Sequence, residues 1–93
     1  MQLKITIEIW QKGKWHIARC PELDFVAQGK TADEARKNLY EVMDIQFEEM
    51  LSLGTIEDYL IECGYIHENQ MYIPQIEMVG FEKSFIEFAE CQR

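Results

Sequence analysis

Residues 20–39, CPELDFVAQGKTADEARKNL, carry the strongest local structural signals in the chain. Pro21 cannot donate to a sheet ladder and favours an extended conformation at Cys20, so we expect a strand to end there. Phe25–Gln28 is short and apolar, and it predicts a further strand. Gly29 permits a bend that would strain a residue with a β-carbon, and Gly29→Val should therefore damage folding.

A long helix should follow this bend, from about Ala32 to about Leu53. Thr31 stands three residues before Glu34, which is the spacing of a capping box, and Gly54 is a typical residue just beyond a helix end. One broad face is apolar at helical spacing. That face consists of Ala32, Ala35, Leu39, Val42, Met43, Phe47 and Met50, and the opposite face carries Lys37, Glu41, Asp44 and Glu48.

Before residue 20, the chain predicts a β-hairpin. Residues 3–10 alternate between two faces, with Leu3, Ile5, Ile7 and Ile9 on one and Trp10 on the other, which is typical of a strand with one buried face. Gly13 lies in a turn signal, and Lys14–Cys20 predicts the second strand. Together with Phe25–Gln28 and the helix, these strands predict a βββα core over residues 1–53.

Residues 54–93 predict an extension of this core. Thr55 can cap a short helix that ends at Gly64, and Cys63 on that helix is expected to be a packed thiol. A polar turn at residues 67–70 should precede a strand, Met71–Val79, that Pro74 bends or confines to an edge. The last strand is expected at Ser84–Glu90.

The expected architecture is α+β, formed by a single domain over residues 1–93. A small antiparallel sheet carries one long helix on one face, and a short helix and two further strands follow.

The net charge of −8 is distributed unevenly along the chain. Residues 1–30 carry five Lys and Arg against three acids, whereas residues 31–93 carry four basic residues against fourteen acids. Most of the surface should therefore repel phosphates, and we do not expect direct nucleic-acid binding. A basic protein is a more suitable partner for this negative surface. The alternative is that the acidic residues are simply solvated and bind no partner.

The cysteines and histidines form no recognisable redox or metal-binding motif. Cys20, Cys63 and Cys91 form no CxxC pair, and this sparse, odd count fits a reducing, cytoplasmic environment. His16 and His67 have no neighbour at ligand spacing, so we expect neither a metal nor a cofactor. We also expect no signal peptide, since the N-terminus alternates and carries charge, and no membrane-spanning segment.

A metal-dependent nuclease is the enzymatic alternative, because several carboxylates could converge on metal ions. Only Glu8, Glu22 and Asp24 lie near the first three strands. Glu8 alternates with the buried isoleucines and should point away from the core. We therefore expect no catalytic residue.

The hairpin, the CPEL turn, the short strand and QGKTADEARKNLYEV together resemble the N-terminal domain of HicB-type antitoxins. The match covers roughly residues 3 to 50. Its motif residues are Pro21, Glu22, Leu23, Gly29, Thr31, Glu34, Ala35 and Leu39.

The resemblance implies a ferredoxin-like, partial RNase H-like unit that forms dimers or tetramers. It also implies a protein that binds and masks a small, basic, mRNA-cleaving toxin of the HicA type. HicB antitoxins usually carry a C-terminal DNA-binding domain. Residues 52–93 predict no recognition helix and contain only Lys83 and Arg93 as basic residues.

Two kinds of partner follow as expectations. The candidate toxin contacts are the helix acids Glu41, Asp44, Glu48, Glu49, Glu57 and Asp58. A homo-oligomer, most simply a dimer, is expected because Trp10, Ile45, Leu51 and several aromatic residues of the C-terminal tail exceed what the core of a small chain needs. A stand-alone oligomeric domain without a toxin partner is the alternative function.

Overall fold

A computed structural model of the chain describes residues 1–89. It confirms the α+β class, with two three-stranded sheets, one long helix and one short helix. The elements in chain order are β1 (Gln2–Leu3), β2 (Glu8–Lys12), β3 (Trp15–Cys20), β4 (Phe25–Gly29), α1 (Ala32–Leu53), α2 (Ile56–Glu62), β5 (Tyr65–Glu68) and β6 (Met71–Pro74).

The β2–β3–β4 sheet is antiparallel, and α1 packs on one of its faces. Ala18 lies opposite both Ile9 and Ala27 in the register, so these three residues share a face of the sheet. Ala18 is fully buried there, together with Ala35 and Leu39 from α1. Small residues on the strands let the helix approach closely, and the predicted βββα core is thus present.

The first predicted strand, over residues 3–10, is wrong as a single element. Its first part is β1, which pairs in parallel with β6, and its last part lies in β2, which pairs with β3. Between them the Thr6 amide donates to the Glu22 carboxylate rather than to a strand. The chain therefore passes from one sheet to the other around this contact.

The predicted polar turn at residues 67–70 is too long, because His67 and Glu68 belong to β5. The hairpin loop consists of Asn69 and Gln70 alone, at φ values of 50° and 63°. Two left-handed residues form the tight turn that matches the twist of paired strands. A short strand that starts just after Gly64 has too few residues to be recognised by alternation.

The two C-terminal strand predictions are also corrected. The strand expected over Met71–Val79 ends at Pro74, and the Gln75 amide donates to the Gly64 carbonyl at 2.9 Å. Of the strand expected at Ser84–Glu90, residues 84–89 are exposed and form no strand, and Glu90 lies outside the described residues. A strand needs a partner for its backbone groups, and no described segment lies beside this one.

Helix α1 begins and ends where its caps predict. The Thr31 hydroxyl accepts from the Glu34 amide at 3.0 Å, although the described residues do not form the reciprocal bond of a capping box. Gly54 has a left-handed conformation at φ 72°, and the Thr55 amide donates to the Met50 carbonyl at 2.9 Å. Thr55 precedes α2 as expected, but its hydroxyl makes no capping bond because its backbone is already helical.

Gly29 is required for a reason other than the predicted one. Its φ does not lie in the left-handed region, so the expected backbone strain is wrong. A β-carbon on Gly29 would instead lie 2.6 Å from the Ala35 nitrogen and 2.9 Å from the Glu34 carbonyl carbon. The first turn of α1 thus packs directly against the backbone of Gly29.

The buried core draws on both parts of the chain. It contains Ala18, Cys20, Leu23, Ala35, Leu39, Met43, Leu60, Tyr65 and Tyr72. Two tyrosines bond backbone carbonyls across it: the Tyr59 hydroxyl donates to Leu23 at 3.1 Å, and the Tyr65 hydroxyl donates to Lys4 at 2.8 Å. Neither helix described over residues 1–89 has both the length and the apolarity to cross a bilayer.

Candidate protein-binding surfaces

The helices form a strongly acidic layer. From Ala32 to Glu62, nine acids stand against only Arg36 and Lys37. The six candidate partner residues, Glu41, Asp44, Glu48, Glu49, Glu57 and Asp58, are all exposed, and none forms an ion pair within residues 1–89. Their charge is therefore available to an approaching molecule.

Three of these acids share one surface, which we call the acidic face: Glu41, Asp44 and Glu48. Their spacing of three and four residues places them on the same side of α1. Leu39 and Met43 are buried on the other side of the helix. The acidic face consequently points away from the sheet into solvent.

The other three candidates have weaker claims. Glu49 follows Glu48 on α1, so its side chain lies on a neighbouring side of the helix and not on the acidic face. Glu57 and Asp58 lie in the first turn of α2, where the helix dipole favours negative charge without any partner. The structure thus does not join all six residues into a single surface.

The motif residue Glu22 is engaged within the fold. One carboxylate oxygen accepts from the Thr6 amide at 3.0 Å, and the other accepts from the Thr6 hydroxyl at 2.6 Å. Burial alone would raise the pKa of Glu22, but these bonds outweigh it and hold the pKa below its usual value. Glu22 is a structural carboxylate that stays ionised.

The carboxylates considered for a nuclease are held apart by protein donors. Arg19 lies 3.4 Å from Glu8 and 3.9 Å from Asp24, while Glu22 binds Thr6. Within residues 1–89, no three His, Cys, Asp or Glu side chains are grouped so that they could hold a metal ion. The Arg19 guanidinium thus lies between Glu8 and Asp24.

No element within residues 1–89 packs on the second face of the β2–β3–β4 sheet, and we call it the open sheet face. It presents Trp10, Trp15, Ile17 and Val26, of which Trp10 is 60% exposed and Val26 is 53% exposed. The alternation of the first strand had already placed Trp10 away from the core. Its apolar neighbours become visible only when the three strands are set in register.

A groove of about 480 Å³ lies near the start of β2, where Glu8 is one of its lining residues. Residues 75–78 form one wall, and Glu8, Pro21 and Glu22 form the other. Lys4 bridges to Glu77 at 2.8 Å across the same region. Residues 75–78, which follow β6, therefore lie near Glu8 at the start of β2.

Both thiols within residues 1–89 belong to the core or pack against it. Cys20 is fully buried, and this burial raises its pKa to about 11, which opposes thiolate formation. Cys63 packs against the core, as expected. His16 lies on the helix-covered face of β3, where its Nδ1 has no hydrogen-bond partner within the described chain.

A comparison with protein-family models, with curated proteins and with solved structures finds no match to this chain. The HicB-type resemblance therefore stays a prediction that rests on the motif residues. Six of them have structural roles: Leu23, Ala35 and Leu39 are core residues, Gly29 packs against the first turn of α1, Thr31 caps α1, and Glu22 accepts hydrogen bonds from Thr6.

Proposed function

We propose that this chain is a HicB-like antitoxin module that binds a small, basic, mRNA-cleaving toxin of the HicA type and neutralises it. The observation that carries the proposal is the acidic face. Three carboxylates stand together on α1, exposed and without described ion-pair partners, on a helical layer with only two basic residues. A basic RNA-binding surface is complementary to such a field.

The acidic face can mask a toxin by competing with RNA. An RNase that binds phosphates must present Lys and Arg at its substrate site. Carboxylates at the spacing of helical turns can meet those cations in place of phosphates. Binding there would cover the groups that hold the RNA backbone.

Association kinetics test this proposal. The variant Glu41→Gln/Asp44→Asn/Glu48→Gln should fold normally, because all three side chains are exposed. Charges of this kind mainly set the association rate and its salt dependence, so the variant should bind a HicA-type toxin from the same genome about tenfold or more slowly at low salt. The difference should shrink as salt screens the field.

A matched control separates this face from net charge. Glu62→Gln/Glu68→Gln/Glu82→Gln removes the same charge from exposed positions elsewhere. This control should retain most of the wild-type association rate. Equal rates for wild type and the acidic-face variant would remove this face from the toxin interface.

A stand-alone oligomeric interaction domain is the second candidate function, and the open sheet face favours it. Contiguous exposed apolar side chains commonly mark a protein-binding surface. We propose that the chain self-associates, most simply as a two-fold dimer, whether or not a toxin partner exists. A chain that dimerises but binds no toxin would favour this second candidate.

A further inference from the structure

We propose that residues 75–89 form an arm that docks on the open sheet face of a second copy, with the two copies exchanging arms reciprocally. This inference deepens the proposed self-association by naming its surfaces. It is independent of toxin binding, which is assigned to the opposite, helical side of the fold.

The arm presents an apolar surface that its own fold does not cover. Six of its large apolar side chains are at least 83% exposed: Ile76, Val79, Phe81, Phe85, Ile86 and Phe88. Phe85 and Val79 are exposed as fully as in an extended chain, at 103% and 100%. This density of aromatic and β-branched residues suits a segment that becomes ordered against another surface.

The open sheet face is a receiving surface of matching chemistry. Trp10 lies opposite Ile17 across β2 and β3, and Val26 lies on the same face of β4. Because α1 packs on the other face, Trp10 and Val26 remain exposed and Ile17 is half-buried. An apolar arm laid across them would remove water from both partners.

The beginning of the arm already lies beside this face within its own chain. Glu77 pairs with Lys4, and residues 75–78 form a groove with Glu8 and Glu22. Beyond Gly80 the large apolar side chains of the arm are at least 83% exposed, so this part of the arm does not pack on the rest of the described chain. Residues 81–89 could reach about 30 Å when extended, which is enough to cross the sheet of a neighbouring copy.

Charge selects the sheet side as the docking surface rather than the helical side. The arm carries Glu77, Glu82 and Glu87 against a single lysine. On the open sheet face, Lys12 and Arg19 stand against Glu8, and Arg19 already pairs with Glu8 and Asp24, so this side carries no excess of negative charge comparable to that of the helices. The nine acids of the helical layer would repel the same arm.

Reciprocity follows from having both surfaces on one chain. Each copy exposes one arm and one open sheet face, and within one copy residues 81–89 of the arm leave Trp10 and Val26 of that face exposed. A two-fold pairing covers both arms and both faces with one repeated contact. The product is a closed dimer in which each arm spans the boundary between copies.

Sedimentation velocity of the full chain tests this dimer. Wild type should sediment at twice the mass of the 11.1 kDa chain at micromolar concentration. An arm variant, Phe81→Ser/Phe85→Ser/Phe88→Ser, and a face variant, Trp10→Ser/Val26→Ser, should each sediment as a monomer. The control Ile45→Ser/Leu51→Ser/Ile61→Ser removes equally exposed apolar side chains from the helices and should remain dimeric.

Mixing the two defective variants separates arm exchange from other contacts. The face variant supplies an intact arm, and the arm variant supplies an intact face, so the mixture should regain a dimer with one docked arm. Arm-to-arm pairing, or docking of each arm on its own sheet, would leave the mixture monomeric. The proposal would be overturned by a monomeric mixture, by a monomeric wild type or by a dimeric arm variant.

Discussion

Glu22 accepts hydrogen bonds from Thr6 with both oxygens of its carboxylate. The Thr6 amide lies 3.0 Å from one oxygen, and the Thr6 hydroxyl lies 2.6 Å from the other. This contact stands where the N-terminal segment passes from β1, in one sheet, to β2, in the other. A side chain sixteen residues away thereby takes the place of a ladder hydrogen bond at the junction.

Replacement of Glu22 should therefore destabilise the fold in a pH-dependent way. The lowered pKa means that its stabilisation is present above the ordinary value of 4.5 and is lost as the pH falls through the folded-state pKa. Glu22→Gln should lower the free energy of unfolding by about 1–2 kcal/mol at pH 7.

Urea unfolding from pH 7 to pH 3 measures this effect, with Glu48→Gln as the control because Glu48 is exposed on α1. The gap between wild type and Glu22→Gln should close toward pH 3, while Glu48→Gln should differ little from wild type at pH 7. A gap that is constant across the range would assign the loss to packing rather than to charge.

Gly29→Ala should destabilise the fold although the backbone of Gly29 has no left-handed φ. The new β-carbon would meet the backbone of Glu34 and Ala35, and the first turn of α1 would have to move. Forcing atoms into a packed site costs about 1–3 kcal/mol. Gly80→Ala is the matched control, because its β-carbon would meet nothing within 4 Å. Equal melting temperatures for the two variants would show that α1 adjusts freely.

Tyr59→Phe should remove the hydrogen bond between the second helix and the CPEL turn. The hydroxyl donates to the Leu23 carbonyl at 3.1 Å, and a half-buried acceptor would lose its partner. The expected loss is about 1 kcal/mol in the free energy of unfolding. Tyr40→Phe, on the exposed side of α1, should change stability by less than about 0.5 kcal/mol. Indistinguishable variants would mean that water replaces the Tyr59 bond without cost.

Cys20 should resist alkylation in the folded protein. Its pKa rises from 9.0 to about 11, mainly through burial, so its thiolate fraction at pH 8 falls about 100-fold. Peptide mass spectrometry after iodoacetamide treatment should show labelling at least that much slower than in urea. Labelling at the rate of the unfolded chain would indicate that the end of β3 unfolds locally and exposes Cys20.

Local signals in the sequence were sufficient to predict the centre of the fold. Thr31 and Gly54 mark the two ends of α1, because each cap is made by residues within four positions of the helix. The β2–β3 hairpin likewise depends on neighbouring residues. These contacts are close in sequence, so their chemistry appears as short motifs.

The remaining elements depend on contacts that are distant in sequence. Leu3 pairs with Tyr72, and no local pattern announces a parallel pairing between two such short strands. The role of Gly29 arises only when the helix packs on the strand. Residues 84–89 have strand-like composition but no described neighbour, so composition alone predicted the wrong state.

The candidate surfaces were predicted unevenly. The helical spacing of Glu41, Asp44 and Glu48 predicted their common exposed face, because α1 is regular. Trp10 was expected away from the core, whereas its grouping with Val26 requires the strand register. Whether either surface has a partner depends on a second molecule, about which the spacing of residues within this chain carries no information.

The most direct test of the antitoxin proposal is titration of a HicA-type toxin from the same genome with this chain, read out as cleavage of a fluorogenic RNA. The proposal predicts that cleavage falls to background at a stoichiometric ratio of chain to toxin, and that the acidic-face variant requires a higher concentration at low salt. Undiminished cleavage at a large excess of folded chain would contradict it.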